Sequence, residues 1–379
     1  MKKYKLIILD NYKFTFPLLI IIISHFFSFP KYSSLKSDRK VCSTCCDMQK
    51  KIDRRNHLLE SVSSQFLDAD HMAKTEFRLT VPFIAKIFQI DTKYKMYFFQ
   101  VILGFLFFYF LTSFIFNYTQ DKTNTFLFLL SFAFIYTGYS FFTDTEGYFD
   151  SFAYFFLFIA MLELPILAIT IAFFLAFFTD ERAILSGILV VLYGQYKTYI
   201  QSNKNYFKFS KQLWGFFISI LFYLTARWIL MNYFGFKNHF GGVGFKLYKI
   251  TFNYFGISFF QIFEGFWLII SLSLFILKKT KEIYWIIAFI IVNLGYFLMS
   301  LTVADITRSG AYIFPSIFLS FLIVKNYATK EQLRYLLYFT TIISFVYPSY
   351  FIIAAIEPKS FPPFIIHVIK NIAFSIMAI

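Results

Sequence analysis

Apolar residues come along this chain in long blocks separated by short polar segments. The pattern shows neither the two-residue alternation of a half-exposed strand nor the single stripe of a soluble amphipathic helix. The blocks cover 14–29, 96–116, 126–142, 213–231, 251–277, 283–301, 311–324, 335–356 and 364–379. A bilayer core about 30 Å thick takes roughly 20 residues as helix, and most of the blocks approach that length. Helix is the element expected, because in hydrocarbon every backbone N–H and C=O has to be satisfied within its own segment. The stretch 151–191 is apolar as well, but Glu163-Leu164-Pro165 and Asp180-Glu181-Arg182 cut it into pieces of 12, 13 and 9 residues. Such pieces read as short tilted helices, or as half-helices that meet inside the protein around a site. The expectation is an all-α, polytopic integral membrane protein. It forms a single membrane domain over 1–379 with about 10–12 transmembrane helices, some short or broken.

Composition agrees and narrows the class. The 379 residues are 58% apolar, 24% aromatic and 15% charged, against about 45–50% apolar and about 25% charged in a soluble domain. That excludes an ordinary globular protein, and the apolar surface excludes a disordered one. The 59 Phe residues suit a lipid-facing surface, and an AT-rich genome would add to them. A net charge of +15 on a soluble protein would suggest nucleic acid. Here the charges fall between apolar blocks, so they read as topology signals and lipid-headgroup contacts, and no nucleic-acid partner is expected.

The charges also set an orientation. Lys2, Lys3, Lys5 and Lys13 precede the first block, and Phe29-Pro30-Lys31 is a poor cleavage site, so an uncleaved first span is expected. With the N-terminus in the cytoplasm, the short loops assigned to the inside carry 15 basic residues against four acids. Those assigned to the outside carry six against seven, as the positive-inside rule requires. The long loop 30–95 then faces outward. Within it Phe66, Met72, Phe77, Val81 and Ile84 recur at near-helical spacing, which predicts an interfacial amphipathic helix over 62–86 that enters the membrane near Pro82. Cys42, Cys45 and Cys46 share the same loop. No second Cys pair completes a zinc set, and a disulfide is open to them if the loop is extracytoplasmic.

Candidate chemistry gathers in the outward-facing segments. Asp68 and Asp70, with His71 and Arg78 nearby, offer paired carboxylates for a divalent cation, or are solvated charges on an interfacial helix. Asp144, Glu146 and Asp150 form a loop with three acids and no base; Asp150 also fits a helix N-cap, whereas Asp144 and Glu146 have no such role. Asp180, Glu181 and Arg182 lie between two short apolar pieces, where charges either pair or line a cavity. Asp305, Thr307 and Arg308 span one helical turn, as a loop ion pair or as a phosphate grip, since arginine binds phosphate bidentately. Glu163, Arg227 and Glu264 fall inside or at the edge of spans, and Glu264 is mid-span. The glycine-rich 239–244 lacks the preceding strand and the following Lys-Ser/Thr of a nucleotide loop.

This layout resembles the GT-C class of polytopic membrane glycosyltransferases: a first cytoplasmic-to-outside span, Asp68 and Asp70 in the first outer loop, Asp144, Glu146 and Asp150 in the next, and short helices around Asp180 to Arg182. The 66-residue loop 30–95 with its cysteines departs from that pattern. The chain is also similar to bacterial polytopic membrane proteins that carry a Glu-Arg pair after a short span and a later Asp-x-Thr-Arg. The resemblance implies a bacterial inner-membrane enzyme that transfers sugar from a polyprenyl-phosphate donor on the extracytoplasmic side, in surface glycan assembly. It implies that Asp144, Glu146, Asp68 or Asp70 deprotonates the acceptor or holds a cation. Arg182, Arg308, Arg78 and His71 would bind the lipid phosphate, with Asp180, Glu181 and Asp305 in support. Two other readings stay open: a transporter or flippase with a midplane site around Glu264, and a membrane subunit without a site of its own.

Overall fold

The computed structural model describes residues 11–28, 32, 35, 47–60, 76–237, 245–303, 305–347, 349–351 and 359–361. These are helical almost throughout. In chain order the helices are α1 (Tyr12–Ser28), α2 (Asp47–Asp53), α3 (Thr80–Ile87), α4 (Lys93–Thr119), α5 (Lys122–Phe134), α6 (Tyr136–Thr143), α7 (Asp150–Met161), α8 (Ile166–Thr179) and α9 (Arg182–Gln201). They continue with α10 (Lys211–Tyr233), α11 (Phe245–Thr251), α12 (Phe255–Phe263), α13 (Trp267–Lys279), α14 (Ile283–Ser300), α15 (Ile306–Ala311), α16 (Pro315–Lys325) and α17 (Lys330–Val346). One antiparallel pair of three-residue strands, β1 (Ser349–Phe351) and β2 (Lys359–Phe361), follows.

Among the described residues five helical segments are long and apolar enough to cross a membrane: α4, α10, Leu247–Lys279, α14 and Ile306–Lys325. A sixth results if α5 and α6, bent by 67° at Ile135, count as one span. The chain is thus an all-α polytopic membrane protein. The smaller number of full spans comes from the short helices. At 1.5 Å per residue, α7 and α8 reach only about 18 and about 21 Å, less than the roughly 30 Å of a hydrocarbon core. The expected block 364–379 lies outside the described residues, as do most of the expected interfacial helix, the three cysteines and 239–244.

The breaks that create the short helices follow local chemistry. Pro165 has no N–H and a fixed φ, so it starts α8 and cannot continue α7. Asp180 is extended, and its Oδ1 accepts the Arg182 N–H at 3.0 Å, turning the chain into α9. That helix runs 20 residues rather than the nine of the apolar piece, continuing to Gln201. Glu163 lies not inside a span but in the turn between α7 and α8. Its side chain is 64% exposed and pairs with Lys197 Nζ at 2.6 Å.

Phenylalanine serves the interior as much as the lipid face. Phe107, Phe128, Phe132 and Phe158 are fully buried, with ring centroids 5.0 Å apart for Phe107–Phe158 and 5.6 Å for Phe132–Phe318. Phe98, Phe222 and Phe275 face outward. Between helices in lipid such ring contacts contribute through close packing rather than through transfer from water.

Four side-chain-to-backbone hydrogen bonds tie together helices α3, α7, α8, α9, α14 and α15. Thr80 Oγ1 donates to Leu175 O (2.7 Å) and fastens α3 to α8. Tyr154 OH donates to Arg308 O (3.2 Å), joining α7 to α15. Tyr296 OH donates to Arg182 O (3.3 Å), joining α14 to α9. Ser186 Oγ donates to Tyr312 O (2.6 Å), joining α9 to the segment after α15.

Candidate functional site

Where these helices meet, seven charged side chains alternate in sign: Glu181, Arg78, Asp180, Arg182, Asp150, Arg308 and Asp305. Arg78 Nε meets Glu181 Oε2 at 3.3 Å, and its Nη2 meets Asp180 Oδ2 at 3.0 Å. Arg182 grips Asp180 with Nε at 2.7 Å and Nη2 at 2.8 Å, and reaches Asp150 Oδ1 with Nη2 at 2.8 Å. Arg308 donates from Nε and Nη2 to Asp150 and from Nη1 to Asp305 Oδ2 at 2.8 Å. The centre is closed and the Glu181–Arg78 end is the more open. Asp150 is 1% exposed, whereas the Glu181 and Arg78 side chains are 32% and 24% exposed.

Neutral donors and rings complete the rack. Tyr312 OH donates to Asp150 at 3.1 Å, and Arg182 Nη1 donates to Ser309 Oγ at 2.9 Å. The Arg308 guanidinium lies 3.9 Å from the Tyr148 ring centroid, and that of Arg182 lies 4.9 Å from Tyr312. Delocalised guanidinium groups tolerate such stacked, poorly hydrated surroundings better than ammonium does.

The acids differ in what they have left to offer. Burial alone would raise the Asp180 carboxyl, but the Arg182 and Arg78 guanidiniums outweigh it and hold the group well below the ordinary aspartate range. Asp305 is the opposite case: burial pushes it up, and Arg308 and Arg182 only partly offset that. Its Oδ2 accepts from Arg308, while its Oδ1 is buried and has no hydrogen-bond partner among the described residues. That carboxylate oxygen of the charged set is therefore left without a partner among the described residues.

Asp144, read from sequence as a candidate base, organises its own loop. Its Oδ1 accepts the N–H groups of Glu146 (3.2 Å), Gly147 (2.8 Å) and Tyr148 (3.1 Å), and its Oδ2 accepts that of Phe149 (2.7 Å). Burial pushes its carboxyl up, and the Phe149 and Tyr148 N–H groups pull against that. The loop it holds contains left-handed backbone at Gly147 (φ 87°) and Phe149 (φ 62°), conformations that need such bracing at a non-glycine residue. Lys51 Nζ ties Gly147 O to α2 at 2.6 Å. Glu146 accepts from Tyr148 OH at 2.5 Å, beside the Arg308 stack.

The structure thus brings Arg78, Asp180, Glu181, Arg182, Asp305 and Arg308 into one chain, with Asp144 and Glu146 in the loop that abuts it. Asp68, Asp70 and His71 lie outside the described residues. Among the described residues no group of three or more His, Cys, Asp or Glu side chains is arranged to hold a metal ion. Asp150, one of the three loop acids and also compatible with an N-cap, opens α7, but its carboxylate faces Arg182 and Arg308 rather than the helix N-terminus. The signal for it was charge balance, since two arginines between apolar segments need a shared acid. Tyr296, Ser309 and Tyr312 carried no such signal. Arg227 lies 3.9 Å from the Phe77 ring centroid and donates to Tyr223 OH at 2.8 Å.

No family model matches the sequence, and neither the curated proteins nor the solved structures searched contain a match.

Proposed function

We propose that this protein is a membrane glycosyltransferase-like enzyme. It takes a sugar from a polyprenyl-phosphate carrier on the extracytoplasmic face of a bacterial inner membrane, in surface glycan assembly. Its partners on this reading are membrane lipids and the lipid-linked sugar. The observation that carries the reading is the convergence of three arginines on a carboxylate chain whose last member, Asp305, keeps a free buried oxygen. The excess of Lys and Arg in the loops read from sequence as inner supports an orientation with this end outside and the N-terminus in the cytoplasm.

In the reaction the acceptor hydroxyl oxygen attacks the anomeric carbon, its proton passes to Asp305 Oδ1, and the bond from that carbon to the carrier phosphate breaks. The departing phosphate gains charge, which guanidinium donors fixed in advance stabilise without reorganising. Arg78 is the most exposed of the three and meets the phosphate first, with Arg308 beside Asp305. The test is surface glycan production in cells carrying Asp305→Asn, Arg308→Ala or alanine at Asp144, Glu146, Glu181 and Arg182. Loss of glycan at unchanged membrane levels of the protein supports the reading. Wild-type glycan in both the Asp305 and Arg308 variants overturns it.

A second reading has its own observation. Glu264 sits in the 3₁₀ break Glu264–Phe266 within the run Leu247–Lys279, with φ 47°, 1% exposure and one carboxylate oxygen unpartnered among the described residues. A buried acid in a broken span is the feature expected of a transporter or flippase. Under that reading Glu264→Gln abolishes function and Asp305→Asn spares it.

A further inference from the structure

Ser258 Oγ, both side-chain amide atoms of Gln261 and Glu264 Oε2 are buried and have no hydrogen-bond partner among the described residues. The three residues are 2%, 4% and 1% exposed. Ser258 and Gln261 belong to α12 and Glu264 closes it, so their three-residue spacing stacks them about one turn apart. From Ser258 to Glu264 the helical rise is about 9 Å. The break that ends this row is fixed by α17. The Gly265 N–H donates to Ser344 Oγ at 3.1 Å, and a Cβ on Gly265 would fall 2.0 Å from Thr340 O. Only a glycine admits so close an approach, and it keeps Glu264 in the interior.

The row starts beside the charged chain. Thr251 Oγ1 donates to Leu301 O at 2.5 Å, and a Cβ on Gly310 would fall 2.8 Å from the Ile262 side chain. The segments 251–262 and 301–310 therefore run side by side in the same direction. That puts Ser258 level with the turn that carries Asp305. Ser258 and Ile262 are four residues apart, so they share the face that meets α15. Asp305 Oδ1, at that level, is likewise buried and unpartnered among the described residues.

Buried polar groups are paired either with protein or with ordered water, and a buried water makes about three hydrogen bonds to groups of this kind. Residues one turn apart lie about 5–6 Å from each other at Cβ, a gap that one water bridges with two hydrogen bonds. A dry, apolar surrounding would leave every one of these atoms unmet, at a large desolvation cost.

We propose that Ser258, Gln261 and Glu264 hold a row of buried waters that carries protons between Asp305 and Glu264. A proton on Asp305 Oδ1 passes to the first water as the last water gives one to Glu264. One carboxylate is regenerated as the other is neutralised, and the waters are left uncharged. The Gln261 amide both donates and accepts but does not ionise, so it aligns the waters without trapping the proton. The inference goes beyond both readings above and depends on neither, since it concerns the connection between their two acids.

The test uses the full-length protein in nanodiscs. X-ray pulses turn water, bound water included, into hydroxyl radicals, and mass spectrometry reads which side chains are oxidised. Ile262 and Phe263, buried beside the row, become labelled in wild type, whereas the buried Phe128 and Phe132 do not. Gln261→Leu and Ser258→Ala bring the labelling down to that background. In D2O, infrared spectroscopy follows the arrival of deuterium at the Glu264 carboxyl, whose acid band is the one missing from Glu264→Gln. Gln261→Leu slows that arrival on the order of tenfold, the rate effect of losing about one hydrogen bond, and Asp305→Asn slows it as well. Melting temperature supplies an independent sign, because an apolar replacement of dry, unmet polar groups stabilises a protein and displacement of bridging water does not. Ile262 and Phe263 as unlabelled as Phe128 in wild type, or a melting temperature raised by Gln261→Leu, means a dry row and overturns the proposal. Absence of a Glu264 acid band, or deuterium arrival unchanged in both Gln261→Leu and Asp305→Asn, overturns the proton path.

Discussion

Arg182 and Arg308, far apart in sequence, meet on opposite oxygens of one buried carboxylate, Asp150: Arg182 Nη2 donates to Oδ1 at 2.8 Å and Arg308 Nε to Oδ2. That junction locks the start of α7 to α9 and α15, and everything else in the charged chain is arranged around it.

Removing the junction takes the shared buried counter-charge from two guanidiniums, leaving Arg182 with Asp180 and Arg308 with Asp305. Breaking a buried ion pair from one side costs about 3–5 kcal/mol. Asp150→Ala should therefore melt well below wild type in detergent, with Asp150→Asn between the two because it keeps an acceptor but not the charge. An unchanged melting temperature in the alanine variant contradicts the central place given to Asp150.

Arginine at 308 forks between two acids and lies against Tyr148, a set of contacts that a single ammonium cannot reproduce. Arg308→Lys should lose transfer activity almost as fully as Arg308→Ala. The surface pair Arg334–Asp121 is the control. Arg334→Lys should change stability by less than about 0.5 kcal/mol and leave activity alone.

The base assignment predicts a pH profile. Burial raises the Asp305 carboxyl above its ordinary value of 3.8, and a base works only once deprotonated. Activity should rise with pH through that raised value, and Asp305→Asn should flatten the profile and lower the rate about 10²–10⁴-fold. An asparagine variant with wild-type rate and profile removes Asp305 from the reaction.

Asp144 and Asp305 are told apart by their conservative variants. Asp144→Asn keeps an oxygen for the Gly147 and Tyr148 N–H groups and should retain much of the activity. Asp144→Ala strands four backbone donors, at roughly 1–3 kcal/mol for a donor left unmade. It should destabilise the protein first and lose activity in consequence. A folded but inactive Asp144→Asn restores Asp144 as the base.

Stability should fall in acid through Asp180. Its carboxyl is held below the ordinary aspartate value of 3.8 because Arg182 and Arg78 outweigh burial. Its contribution is complete above that value and is lost as pH drops toward its own lower one. Melting temperature measured from pH 6 down to pH 2 should decline below about pH 4, and the decline should shrink in Asp180→Asn.

The all-α membrane class was legible because hydrocarbon admits few solutions for a backbone, and blocks of about 20 apolar residues signal helix directly. The breaks at Pro165 and Asp180 were legible for the same reason, since proline and charge are costly inside a span. Among the described residues some apolar blocks form helices too short to be full spans, α7 and α8 among them, because apolarity marks burial in protein as readily as burial in lipid. Within the candidate site, the sequence singled out loops that the structure brings together but not the differences between their acids. Asp144 and Asp305 are both loop acids, and only geometry shows that one spends its oxygens on its own loop while the other has one without a partner among the described residues. Asp150 was legible as a loop acid but not as the junction of two arginines, because an acid at a helix start has an ordinary local role and its actual partners come from distant segments.

The most direct measurement is sugar transfer from the lipid-linked pool of native membranes by the purified protein in proteoliposomes, wild type beside Asp305→Asn. We expect transfer by wild type, and from the Asp305 variant a folded protein that still retains the lipid carrier but transfers no sugar. Equal transfer by both proteins, or none by wild type with the carrier present, contradicts the enzyme reading.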